Sequence, residues 1–198
     1  MSMSLLREVH LEKESGPSIV FREALGFLPN LIHAQSLLPR VIEAQAKLED
    51  AVRLREGDLS RAQKERILLT IAGDRGDAYC VAMHNRVLSS LGATAGQIDE
   101  LLHEYRCADL SAPDLATLQF CLKLSRNSLA VQWEDIEALR VSGLTDRAIF
   151  ETVVVTALAV YLGTLSAGLR PELDFQAREL PSPRAASPAA TSRASSSA

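Results

Sequence analysis

A chain of 198 residues has the length of one domain with appendages, and a 47% hydrophobic content is enough to build a core. A formal net charge of −4, with Lys and Arg scattered, excludes the basic footprint of a nucleic-acid binder. Three cysteines (Cys80, Cys107 and Cys121) are too few and too irregularly spaced for a disulfide scaffold, and residues 1–15 lack the apolar core of a secretory signal. The expectation is a cytoplasmic protein.

Ala and Leu dominate, and no segment alternates apolar and polar residues with period two, so the expected fold is all-α. Residues 1–17 read as an N-terminal arm and 18–175 as one helical domain. A first short helix spans 18–26, closed by Gly26 and followed by Pro29. Helices over 29–38 and 39–54 each begin on a proline, whose missing N–H would be unpaired in a first turn anyway. Gly57 and Asp58 make a break. Ser60 caps the next helix, with Gln63 completing a capping box, and Ile67, Leu68, Ile71 and Ala72 keep the helical period until Gly73 and Gly76 end it.

Asp77 caps a helix over 78–91 that stops at Gly92. Thr94 and Gln97 form another capping box ahead of Ile98, Leu101 and Leu102. Ser111 and Asp114, with Pro113 in the first turn, open a helix through about Ser125. A helix over 133–141 stops at Gly143, and Thr145 caps the last one, through about Leu165. That last helix is apolar nearly all round, which suits central burial or a subunit interface. Its apolar stretch, 149–165, is interrupted by Glu151, Thr152, Thr156 and Thr164 and falls short of the roughly 20 residues of a membrane span, so no membrane partner is expected. Residues 176–198, rich in Ser, Ala and Pro, have little to bury and read as a disordered tail, in keeping with a linker to a further domain.

Chemistry concentrates in residues 65–84. Cys80 lies near the third position of the helix capped by Asp77, where unpaired backbone N–H groups favour thiolate over thiol, although the Asp77 carboxylate opposes this. His84 follows one turn later on the same face. Glu65 lies on the preceding helix, and the glycine break lets the two helices fold back as a hairpin that brings Glu65 to that face. A carboxylate, an imidazole and a thiol so placed make a proton relay serving a nucleophile, and thiolate attack on a hydroperoxide leaves a sulfenic acid. Each residue has a plainer reading as well: Cys80 as a small core residue, His84 as a satisfied core histidine, Glu65 as a solvated charge.

The remaining histidines carry no expected role: His10 lies in the arm, His33 on an amphipathic helix and His103 at an exposed edge. Cys80 and His84 supply at most two metal ligands, and the run G-D-R-G-D lacks the Lys and the strand of a phosphate loop. No metal and no cofactor are expected.

At these residues the sequence resembles the carboxymuconolactone decarboxylase / alkylhydroperoxidase D-like (AhpD-like) family, and within it the peroxidase-related branch. The family motif is a Glu, eleven residues, Cys-x-x-Cys, three residues and His. Glu65, Asp77, Cys80 and His84 fall at those spacings in the run ERILLTIAGDRGDAYCVAMHNRVLSSLGAT, where Tyr79 opens Y-C-V-A-x-H. The stretches FREALGFLPNLIHAQSLLPRVIEAQ and LRVSGLTDRAIFETVVVTAL extend the resemblance over residues 21–175. It implies an AhpD-like all-α bundle with the active site on a helical hairpin, assembled as a homo-oligomer. It also implies that Cys80 reacts with a small hydroperoxide and that Glu65 and His84 relay the proton, with Asp77 and Tyr79 in support.

Asp77 departs from the motif, standing where two-cysteine members carry the partner thiol. An external thiol or dithiol reductant would then regenerate Cys80, or another cysteine would resolve it; Cys107 and Cys121 are expected to be buried structural thiols. A second departure is Gly163-Thr164, where relatives of the branch often have Asn-Arg. Three functions follow for comparison: a thiol-dependent hydroperoxidase with antioxidant activity, a non-redox acid/base enzyme like the decarboxylase members, and a non-catalytic oligomeric module of a tandem protein.

Overall fold

The computed structural model describes residues 5–6 and 16–175, so the expected tail at 176–198 and nearly all of the expected arm lie outside the described residues. The described residues form helices and no strand. In chain order these are α1 (Gly16–Leu25), α2 (Asn30–His33), α3 (Pro39–Glu49), a π-helical turn (Asp50–Leu54), α4 (Arg61–Asp74), α5 (Ala78–Ser90), α6 (Ala95–Glu104), α7 (Ala112–Arg126), a 3₁₀ turn (Ser128–Ala130), α8 (Trp133–Val141) and α9 (Asp146–Leu169).

The N-caps fall where the side chains dictate. Ser60 and Thr94 each close a capping box with the residue three positions on, and Asp77, Ser111 and Thr145 each accept an N–H from the first turn of α5, α7 and α9. Two expected helices differ. The one expected over 29–38 is a single helical turn, and at the far end of that span Pro39 holds Leu38 outside the helical region, at φ −131° and ψ 73°. The one expected over 39–54 changes at Asp50 from α to π geometry, a widened turn that recurs at functional sites.

Between α4 and α5 the chain reverses through Gly76 at φ 67°, a left-handed conformation that favours glycine. Asp77 N–H donates to the Ala72 carbonyl (2.9 Å) and Gly76 N–H to the Gly73 carbonyl (3.1 Å), the bonding pattern of a Schellman turn. The hairpin anticipated from the glycines is therefore built, and α4 packs along α5.

Helix α4 is the hub, packing also on α6, α7 and α9. Its Ile67, Leu68, Leu69 and Ile71 share one core with Val155, Leu158 and Leu162 of α9; each such fully buried side chain contributes about 1.5–3 kcal/mol. Helix α9 runs 24 residues, longer than the expected stretch, and with a mean hydropathy of 1.9 it has the length and composition of a membrane span. Its inner face is taken up by the bundle, against α4, α5, α7 and α8. There Thr152 and Thr156 donate their hydroxyls back to Ala148 and Thr152 carbonyls, 2.8 Å each, so both are buried with their donors satisfied.

Candidate active site

The hairpin brings Glu65 of α4 and His84 of α5 together in the interior. Glu65 is fully buried, and its Oε2 lies 2.7 Å from His84 Nδ1. Burial alone would raise the Glu65 carboxyl. The Arg53 guanidinium, then His84, then Arg61 outweigh it and hold Glu65 below its ordinary value. An ionised carboxylate can only accept, so the imidazole Nδ1 carries the proton and, in the neutral ring, Nε2 keeps the lone pair.

The other oxygen of Glu65 has a partner that sequence reasoning missed. Arg53 Nη1 donates to Glu65 Oε1 at 3.3 Å, and Arg53 Nη2 to Glu49 Oε2. Glu49 in turn accepts from Gln45 Nε2 at 2.8 Å, and Tyr161 OH donates to Gln45 Oε1 at 3.4 Å. Gln45, Glu49 and Arg53 are all buried. Their four-residue spacing was visible in the sequence as one polar helix face, which by composition is indistinguishable from a solvated one. The π turn places Arg53 over α4, so this face turns inward.

Cys80 is buried, next to this chain of charges. Burial, followed by the charge and hydrogen bond of Asp77, holds its thiol well above the ordinary value, while Arg53 pulls the other way. The helix-start effect that favours thiolate does not prevail, and the resting sulfur is a thiol. Asp77 caps α5 as expected: its Oδ1 accepts Cys80 N–H at 3.1 Å and the Ser166 hydroxyl at 2.9 Å. Asp77 Oδ2 is buried without a hydrogen-bond partner. A Cβ on Gly163 would stand 3.3 Å from that oxygen. The two departures from the motif thus face each other across α5 and α9, the small residue leaving room for the carboxylate.

Tyr79 points away from proton transfer. Its hydroxyl accepts Leu31 N–H at 2.9 Å and donates to Asp174 Oδ2 at 2.5 Å, while Asp174 Oδ1 accepts Asn30 N–H at 3.1 Å. Burial and the Asp174 carboxylate push the phenol far above its ordinary range, so it remains protonated. Its work is positional: it ties α2 and the segment after α9 to α5.

Cys80, His84 and Arg53 line one cavity of about 30 Å³, which Phe21, Leu31 and Leu162 also line. That is room for a molecule with a few non-hydrogen atoms. Neither of the other cysteines is among its lining residues. Cys121 is buried, its thiol pushed up to about 12 by burial, against a hydrogen bond with Thr156. Cys107 is exposed, which corrects the expectation that it would be buried: it falls in the turn that leaves α6, where nothing packs over it. His33 is half-buried beside Asp174 and His103 is exposed. Among the described residues no cluster of three or more His, Cys, Asp or Glu side chains could hold a metal ion.

Residues 39–117 match the model of the Carboxymuconolactone decarboxylase family. No curated protein matches the chain. Among solved structures, an uncharacterized peroxidase-related protein from Silicibacter sp. TM1040 is 25% identical, covering 78% of this chain and 81% of its own, with a TM-score of 0.72. A second, from Ralstonia eutropha JMP134 and described as an alkylhydroperoxidase AhpD core, is 23% identical over 87% of this chain and 93% of its own, with a TM-score of 0.78. A third is the debrominase Bmp8, a cysteine-to-alanine variant in complex with 2,3,4-tribromopyrrole, at 19% identity over 88% of this chain and 94% of its own and a TM-score of 0.74.

Proposed function

We propose that the chain is a member of the carboxymuconolactone decarboxylase / AhpD-like family, whose model its residues 39–117 match, and that it is a one-cysteine, thiol-dependent hydroperoxidase. One observation carries the reading. The buried 2.7 Å contact between Glu65 and His84 orients an imidazole in the same small cavity as the Cys80 thiol. A protonated, buried thiol needs a base at the moment of attack, and the orienting carboxylate stabilises the imidazolium that forms.

In this mechanism His84 Nε2 takes the Cys80 proton as the sulfur attacks one oxygen of the hydroperoxide. An S–O bond forms and the O–O bond breaks. Sulfur is oxidised to the sulfenic acid, the peroxide oxygens are reduced, and His84 returns the proton to the departing oxygen to give an alcohol or water. An external thiol then condenses with the sulfenic acid, and a second thiol releases Cys80; Asp77 in place of the partner cysteine motivates this route. A reducing cytoplasm supplies such thiols, and the homo-oligomer implied by the family likeness completes the reading.

The test is hydrogen peroxide consumption in the presence of dithiothreitol. Cys80→Ser is expected to abolish turnover and His84→Ala to lower it by about 10²-fold or more, the usual scale of general acid–base catalysis. Turnover undiminished in Cys80→Ser overturns the proposal. The high-held thiol favours a second reading, in which Glu65 and His84 act as acid and base on a small organic acid; there Cys80→Ala retains activity and His84→Ala loses it.

A further inference from the structure

The cavity that Cys80 and His84 line lies at a seam between two apolar cores. Phe21 and Ile32 on one side belong to a small core that α1 and α2 share with Ile42 and Ala46 of α3. Tyr79, Cys80 and Met83 on the other side belong to the main core, which α2 meets through Leu31. Residues 172–175 close this seam from outside. Both oxygens of Asp174 accept Asn30 N–H (3.1 and 3.2 Å), the Glu172 carbonyl accepts Asn30 Nδ2 (3.2 Å), and Tyr79 OH links Leu31 N–H to Asp174. Phe175 adds an edge-on contact with Phe27, ring centres 5.1 Å apart, beneath the Arg86 guanidinium.

The walls of the cavity are unequal. Arg53, with Glu49 and Glu65, forms a wall of fully buried ion pairs. The α2 wall is a helix of four residues, too short to stand on its own hydrogen bonds, and Asn30 and Asp174 that pin it are only half-buried. Segments held by few bonds near the surface open locally at lower free energy than the core. Opening is needed, because Cys80 is 5% and His84 2% exposed.

We infer that the seam between α2 and α5 is the entrance to Cys80, and that Asp174, acting through Tyr79 and Asn30, is the clasp that limits the size of the molecule that passes. Asp174 is then a specificity-determining residue set apart from the reacting groups. The inference concerns access to the sulfur, so it goes beyond the hydroperoxidase reading and stands or falls separately from it. Under that reading, the same entrance admits the external thiol that regenerates Cys80.

The experiment compares methyl methanethiosulfonate with benzyl methanethiosulfonate on the intact protein. With either reagent the Cys80 sulfur forms a mixed disulfide and methanesulfinate leaves. The two share one chemistry and differ in bulk, so the ratio of their rate constants at Cys80, read by peptide mass spectrometry, cancels thiol nucleophilicity. Asp174→Ala releases the clasp; Tyr79→Phe keeps the ring and frees only Leu31, so the test survives if the first variant does not fold. Cys121, buried in the main core, reports opening of the whole bundle. Asp174→Ala is expected to raise the benzyl-to-methyl ratio by about tenfold or more and Tyr79→Phe by less, with Cys121 unlabelled, as local opening requires. A ratio unchanged from wild type in the folded variants overturns the inference. Cys121 labelled in step with Cys80 overturns it too, since the bundle then opens as a whole.

Discussion

At the scale of the residue, Cys80 is pulled two ways. The start of α5 offers positive potential, but the cap that defines this start is itself a carboxylate, hydrogen-bonded to the Cys80 backbone. Asparagine caps a helix about as well as aspartate. Asp77→Asn is therefore expected to leave stability within about 1 kcal/mol and to speed iodoacetamide alkylation of Cys80 at pH 7 several-fold, measured by mass spectrometry. Because the folded thiol sits above its ordinary value of 9.0, the wild-type alkylation rate should still be climbing at pH 9, and a plateau below that pH would contradict the assignment. Glu65 has the opposite sign. Its folded carboxyl is depressed, so its contribution to stability is present above the ordinary value of 4.5 and lost as pH falls through the folded value. Urea titrations between pH 7 and pH 3 should show a steeper acid loss in the wild type than in Glu65→Gln.

Glu65, Cys80 and His84 were legible because a hairpin turn and a helical repeat fix their neighbourhood from local spacing. Glu49 and Arg53 were not, since a charged helix face looks the same whether it meets water or another carboxylate. Asp174 was hidden for a related reason: it meets Tyr79 across 95 residues, and no local pattern announces such a contact.

At the scale of the element, the caps at Ser60, Asp77, Thr94, Ser111 and Thr145 could be read directly, since each needs only a side-chain oxygen and an N–H two or three residues away. The π turn could not. Its Arg53 meets a long-range partner, Glu65 of α4, which no local spacing announces. Deleting the exposed Ala51 should restore α geometry and rotate Arg53 by about 100° away from Glu65. Glu65, fully buried, then loses its guanidinium partner, a change on the order of 3–5 kcal/mol. Chemical denaturation measures the loss, and a stability within 1 kcal/mol of wild type would show that the turn does not depend on these charges.

At the scale of the whole molecule, an ion pair between buried Lys64 and half-buried Glu151 secures the entry to α4. Lys64, 1% exposed, donates to the Arg55 carbonyl (2.8 Å) and meets Glu151 Oε1 of α9 (2.6 Å), while Glu151 Oε2 accepts Leu59 N–H (2.8 Å). The carboxylate lies so close to Gly57 that a Cβ there would stand 2.2 Å from Oε1. The break read from Gly57 is thus also a close approach that joins α4 to α9. Lys64→Met should cost about 3 kcal/mol in urea unfolding by leaving Glu151 without its cation. The hub that these contacts secure carries Glu65, so global stability and the Glu65–His84 geometry are linked.

The central claim, that Cys80 is a peroxide-reactive thiol served by Glu65 and His84, meets its most direct test in a single labelling measurement. The protein is treated with one equivalent of hydrogen peroxide in the presence of dimedone and analysed by peptide mass spectrometry. The account predicts one dimedone adduct, on Cys80, absent in Cys80→Ser and strongly reduced in His84→Ala. An unlabelled Cys80, or labelling confined to the exposed Cys107, would contradict it.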